Sequence, residues 1–138
     1  MIDPLQASSR IASSGLQAQS TRMRVVSENI ANAQSTSDVP GGDPYARKTV
    51  TFKQMLDRAS GVDAVSARAI GVDRTPFQER YDPGHPAADA NGYVKLPNVN
   101  MIIEMADMRE AVRSYEANLQ MLKQTRSLVS MTIDLLRS

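Results

Sequence analysis

The chain has 138 residues, of which 16 are basic and 15 acidic, and this near balance argues against nucleic-acid or anionic-membrane binding. It contains no cysteine, which excludes disulfides, thiolate metal sites and thiol nucleophiles. Eight methionines, two phenylalanines and no tryptophan favour helix-to-helix packing over a thick β-sandwich core. We expect no cleaved signal peptide, since the first residues lack a basic segment followed by an apolar one, and no direct membrane insertion.

Residues 1–33 are predicted to form a helix with a weak apolar stripe. Its seam contains several small or polar residues that bury little area, so the helix needs a partner for stability. The positions are Leu5, Ser9, Ala12, Leu16, Gln19, Met23, Val26 and Ile30.

Two amides, Asn29 and Asn32, stand three residues apart where this helix is expected to stop. Asparagine is frequent at helix ends because it hydrogen-bonds the backbone locally, but a side-chain amide can also bind a neighbouring chain. From these residues alone, both roles stay open for the two asparagines.

Residues 34–97 contain six of the seven glycines and six of the seven prolines, which predicts an irregular, turn-rich segment. Two stretches are compatible with β-strands, Tyr45 to Phe52 and Ala64 to Ile70. A short helical turn is an alternative around Phe52 to Ala59. The segment is expected to form a small sheet.

The residues Pro83, Gly84, His85, Pro86 and Gly92 are predicted to form a structural loop. Pro83-Gly84 suits a type II turn, and Asn91-Gly92 suits a tight reversal. The only histidine is interpreted as a hydrogen-bonding strut, because the sequence offers no set of donors for a zinc site. The run from Asp89 to Gly92 resembles part of a calcium loop but lacks carboxylates at the first and twelfth positions. No catalytic residue, metal site or cofactor site is predicted.

Residues 98–138 are predicted to form one long helix, because an apolar heptad seam continues for about five repeats without glycine or proline. We interpret the methionines at its start as core packing, in preference to a soft-metal or peptide-binding groove. Arg126 is expected to pack its stem and extend its charged end into water. The seam is Met101, Met105, Met108, Val112, Tyr115, Leu119, Leu122, Arg126, Val129, Ile133 and Leu136.

The predicted fold is therefore mainly α with a small β part, in which an antiparallel, coiled-coil-like pair of terminal helices flanks the middle segment. Five apolar residues lie off both seams, namely Val25, Ile102, Ile103, Leu128 and Leu135. One helical hairpin cannot cover them, so other copies or other proteins must. A secreted helical adaptor that binds one client is the alternative function, whereas an enzyme would need a titratable cluster that the sequence lacks.

Three blocks, SSGLQAQSTRMRVVSENIANAQST, DPGHPAADANGYVKLPNVN and EMADMREAVRSYEANLQMLK, resemble the flagellar basal-body rod protein family. The second block resembles the proximal-rod members in particular. The resemblance implies a structural subunit of a tubular drive shaft that transmits torque and encloses the export channel. It also implies export without a cleaved signal and a place in the periplasmic rod.

The implied partners are copies of this chain and other proximal and adjoining distal rod subunits, with inner-membrane ring or export-gate components as further candidates. No nucleic acid is expected. With the resemblance, we expect Asn29 to bind a neighbouring subunit and Asn32 to terminate the helix. The predicted subunit interface combines seam residues with three asparagines. It consists of Leu16, Met23, Val26, Asn29, Ile30, Asn32, Met105, Met108, Val112, Tyr115, Asn118, Leu119, Leu122, Val129 and Ile133.

Overall fold

A computed structural model describes residues 4–57 and 62–137. Helix α1 spans Pro4–Ala31 and helix α2 spans Met101–Arg137. Between them lie strands β1 (Lys48–Asp57), β2 (Val62–Val72), β3 (Gln78–Tyr81) and β4 (Tyr93–Leu96). This confirms the predicted class, mainly helical with a small β part. Neither helix is both long and apolar enough to cross a bilayer, as far as the described residues show.

The chain divides into two compact units, and both helices contribute to each. The first unit contains the described residues within 1–23, 51–69 and 109–138, and the second contains residues 24–50 and 70–108.

Local hydrogen bonds define where the two helices end and begin. The Asn32 side chain donates to the Glu28 carbonyl at 2.8 Å, and the Asn32 carbonyl accepts from the N–H and hydroxyl of Ser35 at 3.1 and 2.9 Å. At the start of α2, the Asn100 Oδ1 accepts from the Ile102 N–H at 3.0 Å, which is a typical N-cap. The terminating role expected for Asn32 is confirmed.

In the first unit, the helices run antiparallel. Arg22 pairs with Glu110 at 3.3 Å, while Gly15, further towards the start of α1, lies against Asn118, further along α2. A Cβ added at Gly15 would stand 2.8 Å from the Asn118 Nδ2, closer than real contacts allow. Glycine therefore permits a close approach of the two helices here.

The buried side of α2 differs from the predicted seam. Its buried residues are Glu104, Ala111 and Thr125. Asn118 extends this stripe of small and polar side chains with a seven-residue spacing. Small side chains are buried because the helices approach closely, as they do at Gly15, and larger neighbours in the sequence are thereby turned outward.

The β part consists of two separate two-stranded sheets, β1 with β2 and β3 with β4. Strands β3 and β4 are antiparallel, with Gln78 opposite Leu96 and Tyr81 opposite Tyr93. The rings of the two tyrosines meet edge to face at 5.3 Å.

Both predicted strands are present, but the alternative of a helical turn is wrong for residues 52–57, which continue β1. The β-branched and aromatic run before them favours the extended form. Residues 58 and 59 of that predicted turn lie outside the described residues.

The loop between β3 and β4 is closed mainly by its own backbone. The His85 N–H donates to the Asp82 carbonyl at 3.1 Å, which closes a turn over Pro83 and Gly84. Gly84 does not have the positive φ of a type II turn, so that prediction is wrong. Gly92 has a φ of 84° and a backbone bond from Asp82, which places the predicted reversal before β4.

Candidate subunit-assembly surface

An exposed apolar surface follows α2. Ile102, Leu135 and Leu136 are 79, 77 and 83% exposed, and other large apolar side chains between them are also open to solvent. These further residues, which complete what we call the α2 apolar surface, are Ile103, Met105, Val112, Met121, Leu128, Val129, Met131 and Ile133.

Four of the five residues expected to lie off the seams are indeed exposed, namely Ile102, Ile103, Leu128 and Leu135. Val25 is the exception, because it is only 1% exposed and belongs to the core of α1. The helical position of Val25 therefore faces inward.

The predicted interface residues divide into three groups by exposure. Met105, Val112, Val129 and Ile133 are exposed and belong to the α2 apolar surface. The others are half-buried, except Val26 and Asn29, which are buried. The half-buried residues are Leu16, Met23, Ile30, Asn32, Met108, Tyr115, Asn118, Leu119 and Leu122.

The methionines at the start of α2 are not core residues of this chain. Met101 is 41% and Met105 52% exposed, and only Met108 is half-buried. The interpretation as intrachain core packing is therefore wrong for Met101 and Met105. The position of α2 that faces the core at this point is occupied by Glu104 instead.

Asn29 is the centre of a buried polar cluster in the second unit. Its Nδ2 donates to the Lys48 carbonyl at 2.9 Å and to Glu104 Oε2 at 3.0 Å. Its Oδ1 accepts from the Tyr45 hydroxyl at 2.8 Å and from the Lys48 N–H at 2.9 Å. An amide has two donor hydrogens and two acceptor lone pairs, so all four are used within the chain. The expected contact from Asn29 to a neighbouring subunit is replaced by this intrachain role.

The carboxylate of Glu104 is fully buried and receives a second partner, the Nε of Arg47. Arg47 also pairs with Asp73 at 3.5 Å. Burial disfavours the charge on Arg47, but its bonds to Glu104 and Asp73 outweigh that effect and raise the pKa of the guanidinium. A buried charge of this kind is tolerated only when it is paired and hydrogen-bonded. We refer to Asn29, Tyr45, Arg47, Lys48 and Glu104 as the polar clasp.

Further polar contacts connect the polar clasp to neighbouring residues. Asn98 accepts from the Arg47 N–H at 2.7 Å and donates to the carbonyls of Asp73 and Thr75 at 3.1 and 3.0 Å. Glu28 pairs with the Lys48 ammonium at 2.8 Å, and the hydrogen bond from Lys48 is the main cause of the lowered pKa of Glu28. The second unit is therefore joined at this point by polar contacts from α1, β1 and α2.

Sequence reasoning did not identify Tyr45, Arg47, Asn98 or Glu104 as site residues. A signal for Glu104 was present in its seven-residue spacing from Ala111, which matches the spacing to Asn118 and Thr125. The others lie in irregular segments, where periodicity gives no indication of what a side chain contacts.

In the first unit, a groove of about 210 Å³ lies between the start of α1 and the later part of α2. Leu5, Ser9, Thr125, Val129 and the exposed Arg126 are among its lining residues. Arg126 thus lines the groove while its side chain remains exposed. Within residues 4–57 and 62–137, no three histidine or acidic side chains are grouped as metal ligands would be.

Comparison with known proteins decides the family. Residues 10–37 match the family described as "Flagella basal body rod protein", and residues 90–135 match "Flagellar basal body rod FlgEFG protein C-terminal". The flagellar basal-body rod protein FlgC of Agrobacterium fabrum is 66% identical over 137 residues, which cover 99% of both chains. The chain belongs to the FlgC family.

More distant FlgC proteins also match along most of their length. That of Salmonella typhimurium is 40% identical over 125 residues, or 91% of this chain and 92% of its own. That of Borreliella burgdorferi is 38% identical over 151 residues, which cover 96% of this chain and 98% of its own. As a member of the FlgC family, the chain is a structural subunit of the flagellar basal-body rod and not an enzyme.

Proposed function

We propose that this chain is a subunit of the proximal part of the rod, where its helix pair packs with other helix pairs into a tube. The tube would act as a drive shaft that transmits torque and encloses the export channel. The observation that carries this proposal is the α2 apolar surface, which extends from Ile102 to Leu136.

The energetic argument is one of incomplete burial. Complete burial of one large aliphatic side chain contributes about 1.5–3 kcal/mol. Ile102, Leu135 and Leu136 each retain more than three-quarters of their exposure in the single chain, so most of this stabilisation is still to be gained. Neighbouring chains in a tube can supply the missing contacts.

The interface is expected to be heterologous, with different surfaces of each chain meeting. Such contacts repeat into rings or open helical tubes, whereas a two-fold interface stops at a dimer. The apolar α2 surface differs from the outward side of α1, where Gln17, Ser20, Arg24 and Ser27 are exposed. This difference between the two helices supports contacts between unlike surfaces.

We assign two roles to three segments of the chain. Residues 1–33 and 98–138 form the rod core, and residues 34–97 form its outer part. The proposed partners are copies of this chain and other proximal and adjoining distal rod subunits, with inner-membrane ring or export-gate components as further candidates at the rod base. We further propose a periplasmic location and export without a cleaved signal peptide.

The test is co-sedimentation of the purified chain with purified rod subunits, followed by electron microscopy of the pellet. We expect the double variant Ile102→Ser, Leu135→Ser to reduce the sedimented fraction at least fivefold. The matched control, Gln120→Ser, changes an exposed polar residue of the same helix and should sediment like the wild type. Circular dichroism should show equal helix content in all three proteins.

Two outcomes would contradict the proposal. One is an unchanged sedimented fraction for the double variant. The other is a discrete complex of one chain with one client in size-exclusion chromatography with light scattering, which would favour the adaptor function instead.

A further inference from the structure

A polar cavity of about 370 Å³ lies in the second unit, between the segment that follows α1 and the β3–β4 sheet. Ala33, Gln34 and Thr36 line one side of it, and Arg80, His85 and Leu96 line the other. Its volume is near the lower end of the range for clefts that hold small ligands or single side chains.

The ring of His85 presents a donor for this cavity. Its Nδ1 accepts a hydrogen bond from the Ala87 N–H at 3.0 Å, so Nδ1 carries no proton. In the neutral imidazole the proton must then be on Nε2, which becomes a donor. The hydrogen bond from the Ala87 N–H therefore fixes the neutral ring of His85 in the tautomer that is protonated at Nε2.

Arg80 provides the positive charge. Its guanidinium forms a salt bridge with Asp82 at 3.7 Å, a separation longer than a hydrogen bond, and its side chain is 58% exposed. The neighbouring Glu79 lies on the other side of β3, because successive residues of a strand alternate between faces. Leu96 and Arg80 share the inner face, as the register of β3 and β4 requires.

The lining therefore has a consistent chemistry. The guanidinium, the imidazole Nε2 and the amide and hydroxyl of Gln34 and Thr36 can all donate hydrogen bonds, and no carboxylate belongs to the lining among the described residues. Ala33 and Leu96 add short apolar walls that suit methylene groups. Arginine binds a carboxylate through two parallel N–H donors.

We propose that this cavity binds the carboxylate of an aspartate or glutamate side chain from an adjacent protein chain of the assembly. This proposal rests on the proposed function, because only assembly would bring a side chain of another chain to the cavity. The apolar walls favour an acidic side chain with its methylene groups over a free phosphate. The contact would add a directional, charge-assisted bond to an interface that is otherwise apolar and weakly oriented.

The first test is an NMR titration of the ¹⁵N-labelled full chain with propionate, an analogue of the glutamate side chain, at constant ionic strength. We expect saturable shifts of the amides of Gln34, Thr36 and His85. Arg80→Gln should weaken binding at least tenfold. Arg74→Gln, which removes an exposed arginine outside the cavity, should bind like the wild type.

Three results would overturn the site or its ligand. These are the absence of saturable shifts, equal weakening by both variants, and tighter binding of inorganic phosphate than of propionate.

The second test measures co-sedimentation with rod subunits, in which Arg80→Gln should reduce the sedimented fraction at least threefold. If the wild type and Arg80→Gln sediment equally, the proposed occupant is wrong and the proposed function stands. If the wild type itself does not sediment with rod subunits, the proposed function fails, and this occupant fails with it.

Discussion

Replacement of Asn29 by alanine tests the polar clasp most directly. The substitution removes all four hydrogen bonds of the amide and leaves the buried Glu104 carboxylate without one of its donors. It also leaves the Tyr45 hydroxyl and the backbone groups of Lys48 without their partner. The damage is therefore expected in the folded single chain, before any assembly.

The magnitude follows from the bonds that are lost. A hydrogen bond to a charged group contributes about 1.5–3 kcal/mol and a neutral one about 0.5–1.5 kcal/mol. Water can reach the half-buried groups around Asn29 once the amide is removed, so only part of the sum is lost. We expect Asn29→Ala to lower the free energy of unfolding by about 3 kcal/mol.

The assay is urea unfolding of the single chain, followed by circular dichroism and compared with Asn32→Ala. The control loses one neutral hydrogen bond at the C-terminal end of α1 and should cost about 1 kcal/mol. A second variant, Asn29→Asp, keeps two acceptors but places a second carboxylate against Glu104, and should be at least as unstable as Asn29→Ala. If Asn29→Ala unfolds within 0.5 kcal/mol of the wild type yet fails to assemble, an intersubunit role is correct and the intrachain reasoning is refuted.

Two further predictions concern the single chain. Gly15→Ala should lower the stability by about 1–3 kcal/mol in the same assay, because the new methyl group would overlap the Asn118 amide; Gly84→Ala, where no atom lies within 4 Å of the new methyl group, should leave stability unchanged. The pair of Glu28 and Lys48 should stabilise the fold at neutral pH and lose its effect as the pH falls through the lowered pKa of Glu28, below 4.5, since protonation removes the charge. Compared with the wild type, Lys48→Met should therefore lose less stability between pH 6 and pH 3, and an equal loss would contradict the pairing.

The helices and the two longer strands could be predicted because their sequences carry regular patterns. The apolar heptad pattern correctly indicated the long helix α2, and the β-branched run before Phe52 correctly indicated a strand. The pattern could not show which side of α2 faces α1, because an apolar seam is equally suited to a partner in the same chain and to one in another chain. Gly15 resolves this physically, since it brings small side chains into the internal contact.

The polar clasp could not be predicted in the same way, and Asn29 shows why. An amide at a helix end has no periodicity, and its partners Tyr45 and Glu104 are distant in sequence. Local propensity correctly predicted that Asn32 ends the helix, since its hydrogen bonds are made with Glu28 and Ser35, which are near it in the sequence. The two asparagines therefore differ in how far along the sequence their partners lie. Bonds to nearby residues can be predicted from the local sequence, whereas bonds to distant residues depend on the whole fold.

These two kinds of contact suggest how a rod subunit separates folding from assembly. The internal helix contact uses small side chains around Gly15 and the polar clasp around Glu104, which require specific partners and fix one geometry. The outward surface uses large aliphatic side chains such as Ile102 and Leu135, whose burial is favourable but not directional. A chain that folds through directional contacts can keep its nondirectional apolar area for neighbours. Variants of Asn29 should therefore impair the single chain, whereas variants of Leu135 should impair only the polymer.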